Sequence, residues 1–193
     1  MGVDREVAAH HEAGHAVAAH VLGLNVDHVT IQPEGGAAGH VVHEYGCNMN
    51  DIIIKRGAAR QWALECAAIV ALAGEASQRR FRAESVEEWH GGEDRLHVHH
   101  VLDNLAGEAD QELRDAWEKA LVIRTERLIA QNWRYVEWLA ALLLKQTTIE
   151  GRGNIRRVLR DADLPMEYRG KRLSPSQRLA LLVENPLPDA GVR

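Results

Sequence analysis

Residues 4–23 read DREVAAHHEAGHAVAAHVLG, and their alanine content favours an α-helix. Asp4 is the expected N-cap, and Gly23 lies where a glycine would end the helix. Residues four apart lie on the same face of a helix, so His11 and His15 are predicted to point their imidazoles in one direction. Two histidines at this spacing can ligate one metal ion, which is typical of zinc-binding helices.

Glu12 directly follows the first of these two histidines. A carboxylate at that position can reach a water molecule held by the metal and accept its proton. The alternative is a pair of core histidines satisfied by hydrogen bonds, in which Glu12 has no evident task. The pattern therefore predicts a zinc hydrolase, with His11 and His15 as ligands and Glu12 as the general base.

Composition places the chain among ordinary folded domains. It has 193 residues, the size of one domain, and an apolar content of 46% is ample for a core. The net charge of −5 argues against non-specific binding to nucleic acid and gives no reason to expect a membrane surface. The longest apolar run, residues 62–74, contains Glu65 and is too short to span a membrane. Cys47 and Cys66 lack metal-ligand spacing and, with no visible signal peptide, favour a cytoplasmic location.

A β-hairpin is predicted after the first helix. Val26–Gln32 alternates in polarity and ends at Pro33, and Gly39–His43 is the expected antiparallel partner strand. The rest is expected to be helical: one apolar helix within 51–80 that buries Trp62, then helices at about 93–105, 108–131, 133–145, 150–161 and 174–184. The predicted fold class is α+β and predominantly α-helical, with a zinc helix and a small hairpin followed by a helical bundle. We expect a domain over residues 1–165 and a C-terminal extension over residues 166–193, with a short helix and a flexible tail.

A catalytic zinc ion usually has three protein ligands, so a third residue must join the two histidines. The extended motif that places a further histidine six residues after the second is excluded, because that position holds Val21. Glutamates on a following helix, Glu65 and Glu75, are alternatives that stay open on spacing alone.

Four stretches match one known pattern: AHHEAGHA at 9–16, VTIQP at 29–33 with AGH at 38–40, AIVALAG at 68–74, and LLLKQTTIEG at 142–151. Together they resemble the peptidase domain of the FtsH-type ATP-dependent zinc metalloproteases, over most of residues 5–160. In that family the third ligand is an aspartate at the start of the helix after a polar loop, and the matching segment here is GGEDRL. The resemblance therefore implies Asp94 as the third ligand. Because the segment is one residue shorter than the commonest form, Glu93 and His97 stay open as alternatives.

The resemblance also implies a substrate-binding strand and one departure from the family pattern. An edge strand beside the zinc pairs with the substrate backbone in that family, which points to Gly39, His40 and Val41 here. The family usually follows the glycine of its central helix with an arginine and then a pair of acidic residues, whereas residues 74–79 read GEASQR. The support of the metal ligands is therefore expected to differ in this chain.

The resemblance implies a Zn²⁺-dependent metalloendopeptidase that hydrolyses unfolded or small polypeptides. The sequence has no phosphate-loop motif, so we expect a stand-alone domain that lacks the AAA ATPase module and acts without ATP. The alternatives are a catalytically silent, zinc-stabilised binding or adaptor domain, a protease subunit that needs a separate AAA ATPase, and a zinc hydrolase of a non-peptide substrate. The expected partner is a polypeptide, with a separate ATPase and a homo-oligomer left open, and neither nucleic acid nor a membrane segment is expected.

Overall fold

The computed structural model describes residues 4–32, 40–44, 56–86, 92–107, 110–161, 167–168 and 171–172. Six α-helices lie in these ranges: α1 Arg5–Val21, α2 Gly57–Phe81, α3 Gly92–Ala106, α4 Gln111–Gln131, α5 Trp133–Gln146 and α6 Arg152–Asp161. The strands are β1 Asn25–Thr30, β2 His40–Glu44, β3 Thr148–Glu150, β4 Glu167–Tyr168 and β5 Lys171–Arg172. The predicted fold class, α+β and predominantly helical, is confirmed.

The first helix begins and ends where the sequence predicts. The Asp4 side chain accepts a hydrogen bond from the backbone N–H of Glu6 at 3.0 Å, as an N-cap does. At the other end, Gly23 adopts a φ of +79°, a conformation that favours glycine after a helix.

The later helices lie where the sequence predicts them, but one residue that was expected to be buried is exposed. Several predicted segments lie outside the described residues. Trp62 is 51% exposed rather than buried, because the continuous buried run of α2 begins one residue later, at Ala63. Cys66 is buried, whereas Cys47, the predicted helix at 174–184 and the flexible tail lie outside the described residues. The predicted domain boundary near residue 165 also falls outside them. No helix in the described part of the chain combines the length and apolar character that a membrane span requires.

In the described part of the chain, the main sheet has three antiparallel strands in the order β2-β1-β3. Val29 in the central strand is fully buried and pairs with Val41 on one side and Ile149 on the other. The predicted hairpin of β1 and β2 is confirmed, whereas the short pair β4 and β5 and the third strand of the main sheet, β3, were not predicted. That strand has only three residues and directly follows the end of α5, where Thr147 turns the chain with a φ of +60°.

Helices α1 and α2 pack closely because small residues line their contact. Gly14 shows how close they are: a Cβ there would lie 2.6 Å from the Ser77 Cβ and closer still to the Ala73 carbonyl oxygen. The Ser77 hydroxyl also donates a hydrogen bond of 2.6 Å to the His10 carbonyl oxygen, which joins the two backbones. Both helices also carry many buried alanines, which let neighbouring helices approach closely: Ala8, Ala9, Ala13, Ala16, Ala18 and Ala19 on α1, and Ala63, Ala67, Ala68, Ala71 and Ala73 on α2. The face of α1 that carries the two predicted ligands is therefore held firmly by this packing.

Gly14→Ala is expected to lower the free energy of unfolding by about 1–3 kcal/mol, the usual cost of overpacking a core. The added methyl group meets backbone atoms of α2, so the two helices must separate, and this outweighs the better helix propensity of alanine. Urea denaturation of the metal-free protein measures the change. Gly153→Ala in α6 is the matched control, because a Cβ there has no neighbour within 4 Å. A Gly14→Ala protein as stable as the wild type would contradict the close packing.

Candidate metal centre

Three side chains from two helices converge on one point. His11 and His15 come from α1 and Asp94 from the first turn of α3. The two imidazole Nε2 atoms lie 3.0 Å apart, and Asp94 Oδ2 lies 3.2 Å from His11 Nε2 and 3.3 Å from His15 Nε2. A tetrahedral zinc ion with bonds of about 2.0–2.1 Å separates its donor atoms by about 3.3 Å. The three separations therefore fit the ligands of a single ion.

The other predicted site residues occupy different positions. Glu12 is buried, with 5% of its surface exposed, and its charge is close enough to raise the pKa of His15. Glu93 is exposed and His97 half-buried, and within the described residues the group that could share an ion consists of His11, His15 and Asp94.

The predicted substrate strand is described only in part. His40 and Val41 lie in β2, where their backbones pair with Thr30 and Val29 of β1. Gly39 lies outside the described residues.

The second nitrogen of each imidazole has a hydrogen-bond acceptor on α2. His15 Nδ1 donates to the Val70 carbonyl oxygen at 2.7 Å, and His11 Nδ1 donates to Gln78 Oε1 at 3.1 Å. A histidine that donates through Nδ1 presents Nε2 to a metal, and such partners fix the orientation of the ring. Helix α2 therefore holds both imidazole rings with their Nε2 atoms facing Asp94, in the orientation that metal binding requires.

Gly74 of α2 provides the space that the imidazoles need. A Cβ at this position would lie 2.6 Å from His11 Nε2 and closer still to His15 Nε2. These are the two nitrogens that would bind the ion. A side chain at position 74 would therefore occupy the ligand positions, which fits a metal site built against this glycine.

An ion pair holds the start of α3 against α2. Arg95 Nε and Nη2 donate to Glu75 Oε2 at 3.2 and 3.0 Å, and Glu75 also pairs with Arg79. Glu75 is next to Gly74, and Arg95 is next to Asp94. The pair therefore holds the first turn of α3, and with it Asp94, close to the histidines. Glu75, which spacing alone left open as a ligand, contributes to this ion pair instead.

The side chains of His11, His15 and Asp94 stabilise one another's charged states. Burial alone would lower the pKa of His15, but the Asp94 carboxylate outweighs it and raises that pKa to about 9. Burial alone would raise the pKa of Asp94, but His15 and His11 outweigh it and hold that pKa far below its ordinary value. In the metal-free protein this pair stabilises the fold. The Asp94 contribution is lost as pH falls below about 3.8, and the His15 contribution is lost as pH rises from about 6.5 through about 9.

Zinc binding is expected to release the proton that His15 holds in the metal-free protein. With a pKa of about 9, His15 is protonated at neutral pH and must lose a proton before it can ligate. The apparent zinc affinity should therefore rise about tenfold per pH unit from about pH 7 to about pH 8.5 and level off above about pH 9. Competition with a chelator, corrected for the chelator's own protonation, measures this slope. An affinity that stays constant over the range would contradict the protonated His15.

Sequence reasoning missed the residues on α2 that support the ligands. Gln78 and Glu75 lie in the segment at 74–79 that departs from the family pattern, so the departure indicated altered support without naming the partners. The Val70 carbonyl group is a backbone acceptor and leaves no signal in the sequence.

Comparison with known proteins gives one distant similarity. No family model matches the chain. The chain is 25% identical to the ATP-dependent zinc metalloprotease FtsH 2 of Alkaliphilus metalliredigens, in an alignment that covers 76% of this chain. It spans about a quarter of that relative's length, 26%. Over most of its length, the chain is therefore distantly similar to a zinc metalloprotease of the FtsH type.

Proposed function

We propose that this chain is a zinc-dependent metallopeptidase of the FtsH type, with His11, His15 and Asp94 as the zinc ligands and Glu12 as the general base. The observation that carries the proposal is the meeting of three donor atoms whose parent residues lie far apart, since Asp94 follows His11 by 83 positions. Their separations suit a tetrahedral ion, and the nitrogens of both histidines are oriented to bind it.

The chemistry follows from the positions of these groups. Zinc at this site would acidify a water molecule and polarise the scissile carbonyl group. Glu12 follows His11 directly and is buried, so its carboxylate can accept a proton from the attacking water and deliver it to the leaving amine. Three protein ligands leave a fourth position open for water and substrate, as catalytic zinc sites require.

An extended polypeptide is the proposed substrate. Among the described strands β2 lies at an edge of the sheet, so its outer side can pair with a peptide backbone. Main-chain hydrogen bonds hold a peptide with little demand on its sequence, which suits Gly39, His40 and Val41 as substrate-binding residues. An unfolded segment offers such a backbone, whereas a folded protein does not.

The delivery of folded substrates to the domain is part of the same proposal. The relative is named as ATP-dependent. We propose that the domain cleaves unfolded segments without ATP, and that an AAA ATPase would deliver folded substrates. A cytoplasmic location, which the two cysteines favour, completes the proposal.

Cleavage of an unfolded polypeptide in the absence of ATP tests the function. The zinc-loaded chain is expected to produce peptides, to stop when a chelator removes the ion, and to recover when zinc is restored. His15→Ala should hold less zinc and cleave nothing, because one of three ligands is gone. Peptide products are measured by mass spectrometry and zinc by elemental analysis. One zinc ion per chain with no cleavage would overturn the peptidase and favour the zinc-stabilised binding domain.

A further inference from the structure

We infer that Gln78 is a positioning residue that fixes the tautomer of His11, and that the backbone of Ser85 in turn fixes the orientation of Gln78. The inference rests on the proposed metal site and deepens it. Gln78 is only 4% exposed and lies on α2, 67 positions from the histidine that it contacts. Ser85 belongs to the short 3-10 turn, Ala83–Ser85, that follows α2.

The orientation of the Gln78 amide follows from its partners at Ser85. A backbone carbonyl oxygen accepts hydrogen bonds and cannot donate them. The group 2.9 Å from the Ser85 carbonyl oxygen must therefore be the Gln78 amide nitrogen. The same nitrogen lies 3.2 Å from Ser85 Oγ, which donates its own proton to the Arg82 carbonyl oxygen at 2.6 Å and so accepts from Gln78. Both contacts require the nitrogen end of the amide to face Ser85.

The tautomer of His11 then follows from the opposite end of the amide. With its nitrogen facing Ser85, Gln78 presents its carbonyl oxygen to His11 Nδ1 at 3.1 Å. That oxygen carries no proton, so the hydrogen must reside on His11 Nδ1. His11 Nε2 is then the nitrogen with a lone pair for the metal.

The two histidines differ in the kind of hydrogen-bond acceptor that orients their rings. His15 Nδ1 donates to a backbone carbonyl, Val70, which no side-chain substitution removes. His11 depends on a side chain, and a glutamine satisfies both neighbours because it accepts at one end and donates at the other. A carboxylate at position 78 would still accept from His11 but would set an oxygen against the Ser85 carbonyl oxygen. His15 therefore serves as an internal reference for His11 within the same protein.

Two variants of Gln78 and one control on the same helix test the inference. Gln78→Met removes the acceptor for His11, and Gln78→Glu keeps an acceptor and makes it charged. Gln61→Met is the matched control, because Gln61 is exposed on α2 and bonds to Glu65 rather than to a ligand. Zinc affinity is measured by competition with a chelator. The Nδ1–H protons of both histidines are observed by NMR on zinc-loaded protein with ¹⁵N-labelled histidine.

The expected results separate the two histidines. Gln78→Met should weaken zinc binding by about 10- to 100-fold and remove the exchange-protected Nδ1–H signal of His11, while the His15 signal remains. Gln78→Glu should keep the His11 signal and move it downfield, because a charged acceptor makes a shorter, stronger hydrogen bond. Gln61→Met should match the wild type in both measurements.

Contrary results distinguish this inference from the function on which it rests. If the wild type binds and uses zinc but neither Gln78 variant changes the His11 signal, the positioning role is wrong and the peptidase stands. If Gln78→Met does not fold, an unmoved His11 signal in Gln78→Glu is enough to overturn the inference. A wild type that takes up no zinc overturns the metal site and the positioning role together.

Discussion

Glu12→Gln is expected to slow peptide hydrolysis by about 10²- to 10⁴-fold while the protein keeps its zinc. Glutamine has nearly the size and shape of glutamate, so the buried position stays filled. Its amide cannot accept a proton from the attacking water, and none of the three proposed ligands is altered. The substitution also removes a negative charge that raises the pKa of His15, so zinc competes with protons at least as well as before.

Initial rates on an unfolded polypeptide and zinc content, measured on the same preparation, test this expectation. Glu6→Gln is the matched control, because Glu6 is an exposed residue of the same helix that pairs with Arg82. It should cleave at the wild-type rate. Near-normal cleavage by Glu12→Gln at equal zinc would remove Glu12 from the mechanism, whereas loss of zinc would assign it a part in holding the ion.

Gly74→Ala is expected to weaken zinc binding by at least about 100-fold without unfolding the protein. The new methyl group would lie 2.6 Å from His11 Nε2 and closer still to His15 Nε2, so both rings must rotate away and their donor atoms separate. The clash involves the ends of side chains rather than backbone, so α1 and α2 can stay in place. In the metal-free variant, displacement of the rings also disturbs the stabilising pair of His15 and Asp94, and the better helix propensity of alanine, up to about 1 kcal/mol, offsets part of that loss.

Two measurements distinguish this result from general damage. Chelator competition gives the zinc affinity, and thermal unfolding without metal gives the stability, with Gly153→Ala as the control for a glycine that has open space around it. Gly74→Ala should mainly lower the zinc affinity, because its methyl group displaces the imidazole rings. Gly14→Ala should mainly lower the free energy of unfolding, because its methyl group separates the two helices. Unchanged zinc affinity in Gly74→Ala would show that the ion does not bind between the two imidazoles.

Local patterns in the sequence were sufficient for much of the fold and for two of the proposed ligands. The spacing of His11 and His15 needs only the geometry of one helix, and the same is true of the Asp4 cap. Asp94 was reached through resemblance, because the residues alone left other carboxylates open. Strand β3 was missed because three residues carry too little alternation to be recognised.

The contacts that support the ligands could not be predicted for a different reason. The Gln78 amide and the Val70 carbonyl group meet their histidines across 67 and 55 positions of chain, and such pairs form only when α1 and α2 pack together. Trp62 shows the same limit: its spacing suited a buried face, but the buried run of α2 starts only at Ala63. The spacing of apolar residues predicts which side of a helix faces the core. It does not predict at which residue along the helix the buried part begins.

The approach of α1 and α3 at the proposed metal site has a consequence for the stability and degradation of the protein. An ion held by both helices would join points 83 positions apart in the chain, so it would act as a removable cross-link and close a long loop in the way a disulfide does. By mass action, the stability of the fold would then depend on the concentration of free zinc. A molecule that lost its ion would become inactive and easier to unfold at the same moment. Zinc supply would therefore set both how fast each molecule works and how many molecules escape degradation.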